Sequence, residues 1–551
     1  MTRLRVRILL LTIGVMLFAA SPVVALQSYG SAWSSQLQDT LRSEGYLKGL
    51  EAYRAGNYAA AYKLWKAAAN DGDAMAQCNL GACYYSGKGV GQDYAKALKW
   101  FRRAAAKGND MAQCNIGNSY YGGYGVRQDV DEAVRWYMLA AEQGNAMALT
   151  NLGLCYKMGE GVETDSVKAF DCFYRAAEKG YSVALNEVGD CFFFGIGVDE
   201  CCDEAVYWYT KAAENGLKEA QYNLAMCYAH GEGVDYDEHK ATEWLLKSAK
   251  QGHMNAQYSL AENYNYGVGV AKDSVQATKW YEQAALQGHV DAQYILACRY
   301  YSGNGVKENH DLAAKWFAKA AKNGDAEAIC QLAGCYYWGD GAAYDYKKAM
   351  ALYKKAAELG NAEAMFCLAE YSIYDDEQIS MNLAFNWYSR AAESGYAPAY
   401  NKVGNCYYLG IGGKADYDEA FKWFSMGAES GDPDALYNVA QCYYQGHGVQ
   451  QDYLTAARWY IQAAEKKNAD AQYILGTMFY KGMGVMQSYE EAVMWYNKAV
   501  EQEHPAAQYC LGICYYYGQG VARNRNKAFG LWKQAADQDF EDAIEALRDL
   551  R

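Results

Sequence analysis

Tyrosine is the residue through which this sequence can do most: 53 of its 551 residues are Tyr, and many recur at fixed spacing. One row is Tyr222, Tyr258, Tyr294, Tyr437, Tyr473 and Tyr509; a second is Tyr85, Tyr121, Tyr301, Tyr337, Tyr408, Tyr444, Tyr480 and Tyr516. In the register three residues ahead of the first row, acids recur as Glu219, Asp291, Glu327, Glu363, Asp434 and Asp470. Tyr offers a large contact area, little rotamer entropy and a polar tip, which suits a recognition surface. Beside carboxylates it favours Lys- or Arg-containing peptides through cation–π contact and charge. The competing use of such rows is stacking of the rings on one another to hold neighbouring helices together.

Other chemistries find less support. The seven His are His230, His239, His253, His289, His310, His447 and His504, with no His-Glu-x-x-His and no paired Cys-x-x-Cys, so no metal site is expected. His253, His289 and His504 share one register, where a helix should start and a polar residue is ordinary. Gly-x-Gly recurs through the chain, but none is followed by Gly-Lys-Ser/Thr or preceded by a strand pattern, so these are turns and not phosphate loops. No Gly-x-Ser-x-Gly elbow occurs. No catalytic residue set and no cofactor are therefore expected.

What positions the Tyr rows is a repeat. A small residue recurs as Gly81, Gly117, Gly153, Gly189, Ala225, Ala261, Ala297, Ala333, Ala369, Gly404, Ala440, Gly476 and Gly512, at steps of 36 residues except one of 35. The two Tyr rows stand three before and four after this anchor. Such regularity marks stacked units and overrides the several globular domains that length alone would predict. Within residues 73–108, Ala76, Leu80 and Tyr84 fall on one face of a helix, and Ala97, Trp100, Phe101, Ala104 and Ala105 on one face of a second. Gly87 and Gly89 break the chain between them and Gly108 ends the second helix. Pro398, Pro433 and Pro505 stand where first helices begin, a position that tolerates a missing N–H.

The pattern Ala-x-Ala, Leu-Gly, Tyr, Gly-x-Gly-Val, Lys-Ala, Trp-Tyr, Ala-Ala, Gly resembles the Sel-one-like repeat, a relative of the tetratricopeptide repeat, over residues 73–539. The resemblance implies an all-α, right-handed superhelix of thirteen helix-turn-helix repeats whose first helices line a concave surface. It implies an adaptor or interaction protein in which the Tyr rows and the acids line that groove. Residues 26–72, with a shortened unit at 45–72, should cap one end and residues 540–551 the other. The unit at 361–395 lacks the Gly-x-Gly turn, is one residue short and carries Asp375, Asp376 and Glu377. That is either a drifted loop or a junction near residue 375.

Seventeen Cys occur, eight of them in one register: Cys83, Cys155, Cys191, Cys227, Cys335, Cys406, Cys442 and Cys514. In the tetratricopeptide relative that slot holds a small buried residue, and free Cys packs well there. Neighbours in this ladder should lie ~10 Å apart at ordinary helix spacings, beyond the ~7 Å reach of a disulfide. The second-helix Cys of the family's cysteine-rich branch is replaced here by Ala pairs such as Ala104-Ala105. Cys172 stands where most repeats have Trp, and a bond to Cys155 or Cys191 is the one disulfide expected. Cys201 and Cys202 fall in a loop. The Ser-x-x-Lys element of β-lactam-reactive enzymes, a role linked to cysteine-rich relatives, is absent.

Arg3, Arg5 and Arg7 precede an apolar run from Ile8 to Ala20, with small residues at Val23, Val24 and Ala25, the pattern of a secretory signal peptide over 1–25. The run is short of the ~20 residues of a transmembrane helix. The expectation is an exported protein, periplasmic or secreted, or else in a secretory lumen. Losing three Arg and no acid would take the formal charge from −14 to −17, which disfavours nucleic acid and anionic membrane. The expected partner is a neutral or basic protein or peptide. The alternative is a cell-envelope glycan stacked on the same Tyr, and a hydrolase or β-lactam-binding enzyme ranks last.

Overall fold

The computed structural model describes residues 43–372 and 377–548. Residues 1–42, with the expected signal peptide, and Asp375 and Asp376 lie outside the described residues. The described chain holds twenty-nine helices and no strand. They alternate as the two helices of a repeat, so the chain is an α-solenoid in consecutive helix-turn-helix units.

One repeat shows why these residues fold this way. Its first helix is Ala74–Ser86 and its second Tyr94–Ala105. Asp73 caps the first, its carboxylate accepting the Ala76 N–H at 2.9 Å; Asp93 caps the second, accepting the Lys96 N–H at 2.9 Å. Such caps are worth about 1 kcal/mol each. Gly87 ends the first helix at φ +73°, left-handed backbone that only Gly adopts without cost. Pro398, Pro433 and Pro505 do sit in the first turn of their helices.

The second glycine of each turn has a further reason. A Cβ on Gly89 would stand 2.1 Å from the carbonyl oxygen of Tyr58, in the preceding repeat, and one on Gly484 would stand 2.2 Å from that of Tyr453. The turn is thus pressed against the start of the previous second helix. The anchor residue is small for a parallel reason: a Cβ on Gly81 would lie 2.7 Å from the Phe101 ring.

Polar staples join successive repeats inside the core. Gln257 is buried; its Nε2 donates to the carbonyl of Ala249, at the end of the previous second helix, at 3.1 Å. Its Oε1 accepts from Gln287, at the end of its own second helix, at 2.6 Å. Gln472 repeats the arrangement with Ala464 and Gln502 at 3.0 and 2.8 Å. A polar residue in the core is tolerable when both ends of its amide are satisfied, as here.

The shortened N-terminal unit forms a helix pair, Glu44–Arg54 and Tyr58–Asn70, with Trp65 fully buried and its Nε1 donating to the Tyr46 carbonyl at 3.1 Å. At the other end the helix Glu541–Arg548 lays Ala543 against Trp532 and Ala535. The irregular repeat is a helix Ala362–Ser372 followed by a longer one, Glu377–Glu393.

The chain divides into two compact bodies. The N-terminal body runs to Ala292 and takes in Asn304–Val306; the C-terminal body holds Gln293–Gly303 and the chain from Lys307 onward.

Candidate functional site

The first helices carry both expected Tyr rows. In the row three before the anchor, several rings meet a core aromatic of their own second helix: Tyr258 meets Tyr281 with ring centroids 5.9 Å apart, Tyr294 meets Phe317 at 5.9 Å, Tyr437 meets Tyr460 at 5.8 Å and Tyr509 meets Trp532 at 6.3 Å. Three of these Tyr are also roofed by a histidine from the next repeat. His253 stacks on Tyr222 at 4.8 Å, His289 on Tyr258 at 4.3 Å and His504 on Tyr473 at 5.0 Å. Each His caps its helix, Nδ1 accepting the backbone N–H of Ala256, Ala292 or Ala507. That bond needs a neutral Nδ1, and burial pushes His253 down to about 4. Tyr222 is only 3% exposed beneath its histidine. The expectation that it lines an open surface is therefore corrected: it is a core residue, while the other five of its row are half-buried.

The row four after the anchor sits at the turn. Tyr85, Tyr408, Tyr444 and Tyr480 meet Tyr94, Tyr417, Tyr453 and Tyr489 edge-on at 5.1–5.2 Å, at the start of their own second helices. Their hydroxyls reach the middle residue of the next repeat's Gly-x-Gly. Tyr121 donates to Glu160 at 2.6 Å, Tyr408 pairs with His447 Nδ1 at 2.9 Å and Tyr480 donates to Gln519 at 2.7 Å. Tyr301 stacks on His310 at 4.6 Å and Tyr337 on Tyr371 at 4.1 Å. Tyr516 lies against Trp532 at 5.4 Å with Arg525 over its ring. Packing within its own repeat or against the next thus uses part of every ring in this row.

Of the acids, Asp291, Glu327, Asp434 and Asp470 are exposed, and Glu219 and Glu363 are half-buried. Asp434 accepts from the Asn468 amide at 2.8 Å and Asp470 pairs with His504 Nε2 at 3.1 Å. Glu363 accepts from Gln331 at 3.2 Å, and Glu219 lies 4.0 Å from Lys218.

Periodicity did not reveal the residue just after the anchor. In five of the seven repeats whose second helix presents a core Tyr, this residue is polar and takes the Tyr hydroxyl; the exceptions are Tyr353, which faces Gly334, and Tyr460. Tyr137 donates to Asn118 at 2.8 Å and Tyr209 to Asp190 at 2.7 Å; Tyr496 pairs with Thr477 at 3.2 Å, and Tyr281 and Tyr388 bond Glu262 and Glu370. The sequence signal was partial: Phe101, Phe173 and Phe317 go with Ala82, Leu154 and Cys298 instead, but Phe424 goes with Asn405 and Tyr353 with Gly334.

Around Asp190 this grows into a charged cluster. Its carboxylate also lies 3.4 Å from the Asn186 amide and 3.3 Å from that of Asn223, while Glu187, almost fully enclosed, pairs with Lys157 at 2.9 Å. Burial, then the neighbouring Glu187, hold the Asp190 carboxyl well above the usual carboxylate range.

All seventeen Cys are free thiols. The bond expected of Cys172 is not formed: Cys172, Cys155 and Cys191 are each buried and separate. All eight ladder Cys are buried, and burial pushes Cys83, Cys155, Cys191, Cys442 and Cys514 up to about 12. Cys201 and Cys202 are half-exposed. Among the described residues no group of three or more His, Cys, Asp or Glu stands ready to hold a metal ion, and no described helix is long and apolar enough to cross a membrane.

Helix pairs at this spacing, with these anchors and turns, define a repeat family, and the chain belongs to it. The Sel1 repeat matches fourteen consecutive segments from residue 44 to residue 540, counting the shortened unit at 44–73 and the irregular one at 362–396. Among solved structures, the chain is similar to a protective antigen present in uropathogenic Escherichia coli strains that displays an SLR fold. The two share 30% identity over 89% of this chain and 97% of that one, with a TM-score of 0.54. A Sel1 repeat protein from Oxalobacter formigenes is 34% identical over 44% of this chain and 97% of its own, with a TM-score of 0.41. No curated protein matches.

Proposed function

We propose that the protein is a non-enzymatic scaffold outside the cytoplasm whose first-helix faces bind a neutral or basic protein or extended peptide. The observation that carries this reading is a contrast between several second-helix Trp rings and the Tyr row three before the anchor. Other first-helix Tyr, such as Tyr84, Tyr156, Tyr228, Tyr336 and Tyr515, already carry a Lys. Several second-helix Trp rings are already covered by a cation from their own helix: Arg103 lies over Trp100, Lys247 over Trp244, Lys319 over Trp316 and Lys498 over Trp495, the three Lys at 3.5–3.7 Å from the ring centroid. On the first helices, Tyr437 and Tyr509 are half-exposed and no Lys or Arg is stacked on them among the described residues, while half-exposed Tyr258 and Tyr473 each carry a histidine on one face. Exposed Asp291, Asp434 and Asp470 lie in the same layer. Rings open to a cation, with carboxylates beside them, fit a partner that brings Lys or Arg. Action outside the cytoplasm rests on the sequence of residues 1–25.

The test is capture of a binding partner from a cell-envelope extract at low and at high salt, by the parent protein and by a variant with Asp434→Asn and Asp470→Asn. Salt-sensitive binding that the variant weakens supports the reading, because exposed charges are screened beyond ~10 Å at 0.1 M salt. Binding of a neutral oligosaccharide that ignores salt would replace it with glycan recognition.

A further inference from the structure

Six repeats place a Tyr at the register of Tyr209 together with a polar residue just after the anchor, and in five of them the two are bonded. The sixth is the repeat with first helix Pro433–Gln445 and second helix Tyr453–Glu465. Tyr460 is 0% exposed, and its hydroxyl has no hydrogen-bond partner. Gln441 stands where the partner belongs but is engaged elsewhere. Its Nε2 donates to the Tyr437 hydroxyl at 2.6 Å and its Oε1 accepts from Gln445 Nε2 at 3.2 Å, while Gln445 Oε1 accepts from Tyr408 at 2.7 Å. A buried unmet hydroxyl costs about 1–3 kcal/mol, and the neighbouring repeats show that the fold can avoid it.

The hydroxyl is surrounded by aromatic rings. Tyr437 lies 5.8 Å and Tyr444 6.3 Å from the Tyr460 ring, and Tyr408 joins from the preceding repeat through Gln445. Tyr408, Tyr437 and Tyr444 are half-exposed, and exposed Asp434 and Asp470 share their layer. A phenol without an acceptor needs an oxygen from the ligand; rings without a cation, beside two carboxylates, need a positive group. An extended polypeptide supplies both within one residue, a backbone carbonyl and a Lys or Arg side chain.

We infer that this face is a docking site for an extended polypeptide segment bearing Lys or Arg. The cation lies over Tyr437 toward Asp470, and a backbone carbonyl accepts from Tyr460 once Gln441 swings aside. This rests on reading the first-helix faces as protein-binding and names where and by what chemistry.

The probes are a tetra-arginine peptide blocked at both ends and chitotetraose, titrated calorimetrically into the full protein and into its Tyr460→Phe variant. That substitution removes one oxygen and changes neither charge nor ring. The expected result is that tetra-arginine binds the parent and the variant binds it about tenfold more weakly, the loss of one buried hydrogen bond. Equal affinity in both proteins overturns the site while leaving acidic-face peptide binding intact. No binding of tetra-arginine overturns the site, and so does chitotetraose binding that Tyr460→Phe weakens, since the face then serves a sugar. Helical circular dichroism of the variant matching the parent shows that any loss is local.

Discussion

Tyr209 in the N-terminal body and Tyr460 in the C-terminal body occupy one register of one repeat, yet their surroundings are opposites. Tyr209 gives its hydroxyl to Asp190, which also has the Asn186 and Asn223 amides beside it, and Lys157 answers Glu187 nearby. That face is closed on itself. Tyr460 finds no acceptor, and its neighbours are aromatic rings and glutamines that bond to one another. The repeat dictates where the ring goes and leaves the chemistry at its tip to one variable residue. A face whose polar groups are mutually satisfied contributes to stability; a face with a buried donor unmet retains something to offer a ligand.

The largest effect should come from breaking the closed face. Lys157→Ala leaves Glu187 and Asp190 enclosed without their cation, and should cost about 3–5 kcal/mol in chemical denaturation followed in the N-terminal body. The same register in the other body holds Tyr444, half-exposed, and Tyr444→Ala should cost distinctly less. Equal costs would show that the two faces do not differ as described.

Acid sharpens the contrast next. His253 is held neutral, with its pKa lowered to about 4 by burial and then by Lys218, against about 6.5 in the unfolded chain. Below pH 6.5 the unfolded chain takes up a proton that the folded chain refuses, so stability falls as pH drops from 6.5 to 4 and the loss is complete below 4. The full loss is on the order of 3 kcal/mol. Asp190, with its carboxyl raised, works in the other direction over the acid range, so the comparison must be between His253→Asn and the parent. Asn keeps a capping oxygen, as Asn145 and Asn468 do, and should remove this slope. An unchanged slope between pH 6.5 and 4 would mean that His253 is not the group responsible.

The thiols provide a smaller test. The ladder Cys of both bodies should resist a thiol reagent until the protein is denatured, since burial suppresses the reactive thiolate. Cys201 and Cys202 should react first. Mass spectrometry after brief labelling distinguishes them, and rapid labelling of Cys191 or Cys442 would contradict their burial.

Much of this was legible in the sequence because it repeats. The anchors, the Gly-x-Gly turns and the Pro positions all recur in register and fold as their spacing predicts. What the rows of Tyr do was not legible from spacing alone. Tyr222 and Tyr258 share a register and each is roofed by a histidine of the next repeat, yet Tyr222 is buried and Tyr258 half-buried. Gln257 looked like any polar residue on a helix until its two partners, one repeat back and at the end of its own repeat, came together. Such contacts join residues 8 to 39 positions apart, and a periodic pattern does not say which side chains meet across them. The pairing of Tyr209 with Asp190 could have been found by comparing two registers of the repeat with each other; its failure at Tyr460 could not, because polar Gln441 stands in the partner register and only the structure shows it bonded elsewhere.

The most direct test of the contrast is local hydrogen exchange in the helices Cys202–Glu214 and Tyr453–Glu465, measured for Tyr209→Phe and Tyr460→Phe against the parent. Removing the Tyr209 hydroxyl should lower protection of its helix by the equivalent of about 1–2 kcal/mol, because the Asp190 carboxylate loses its shortest bond. Removing the Tyr460 hydroxyl should leave protection unchanged or raise it, because nothing in the fold uses that group. Equal losses of protection in the two helices would show that Tyr460 has a partner within the protein, and would contradict the account.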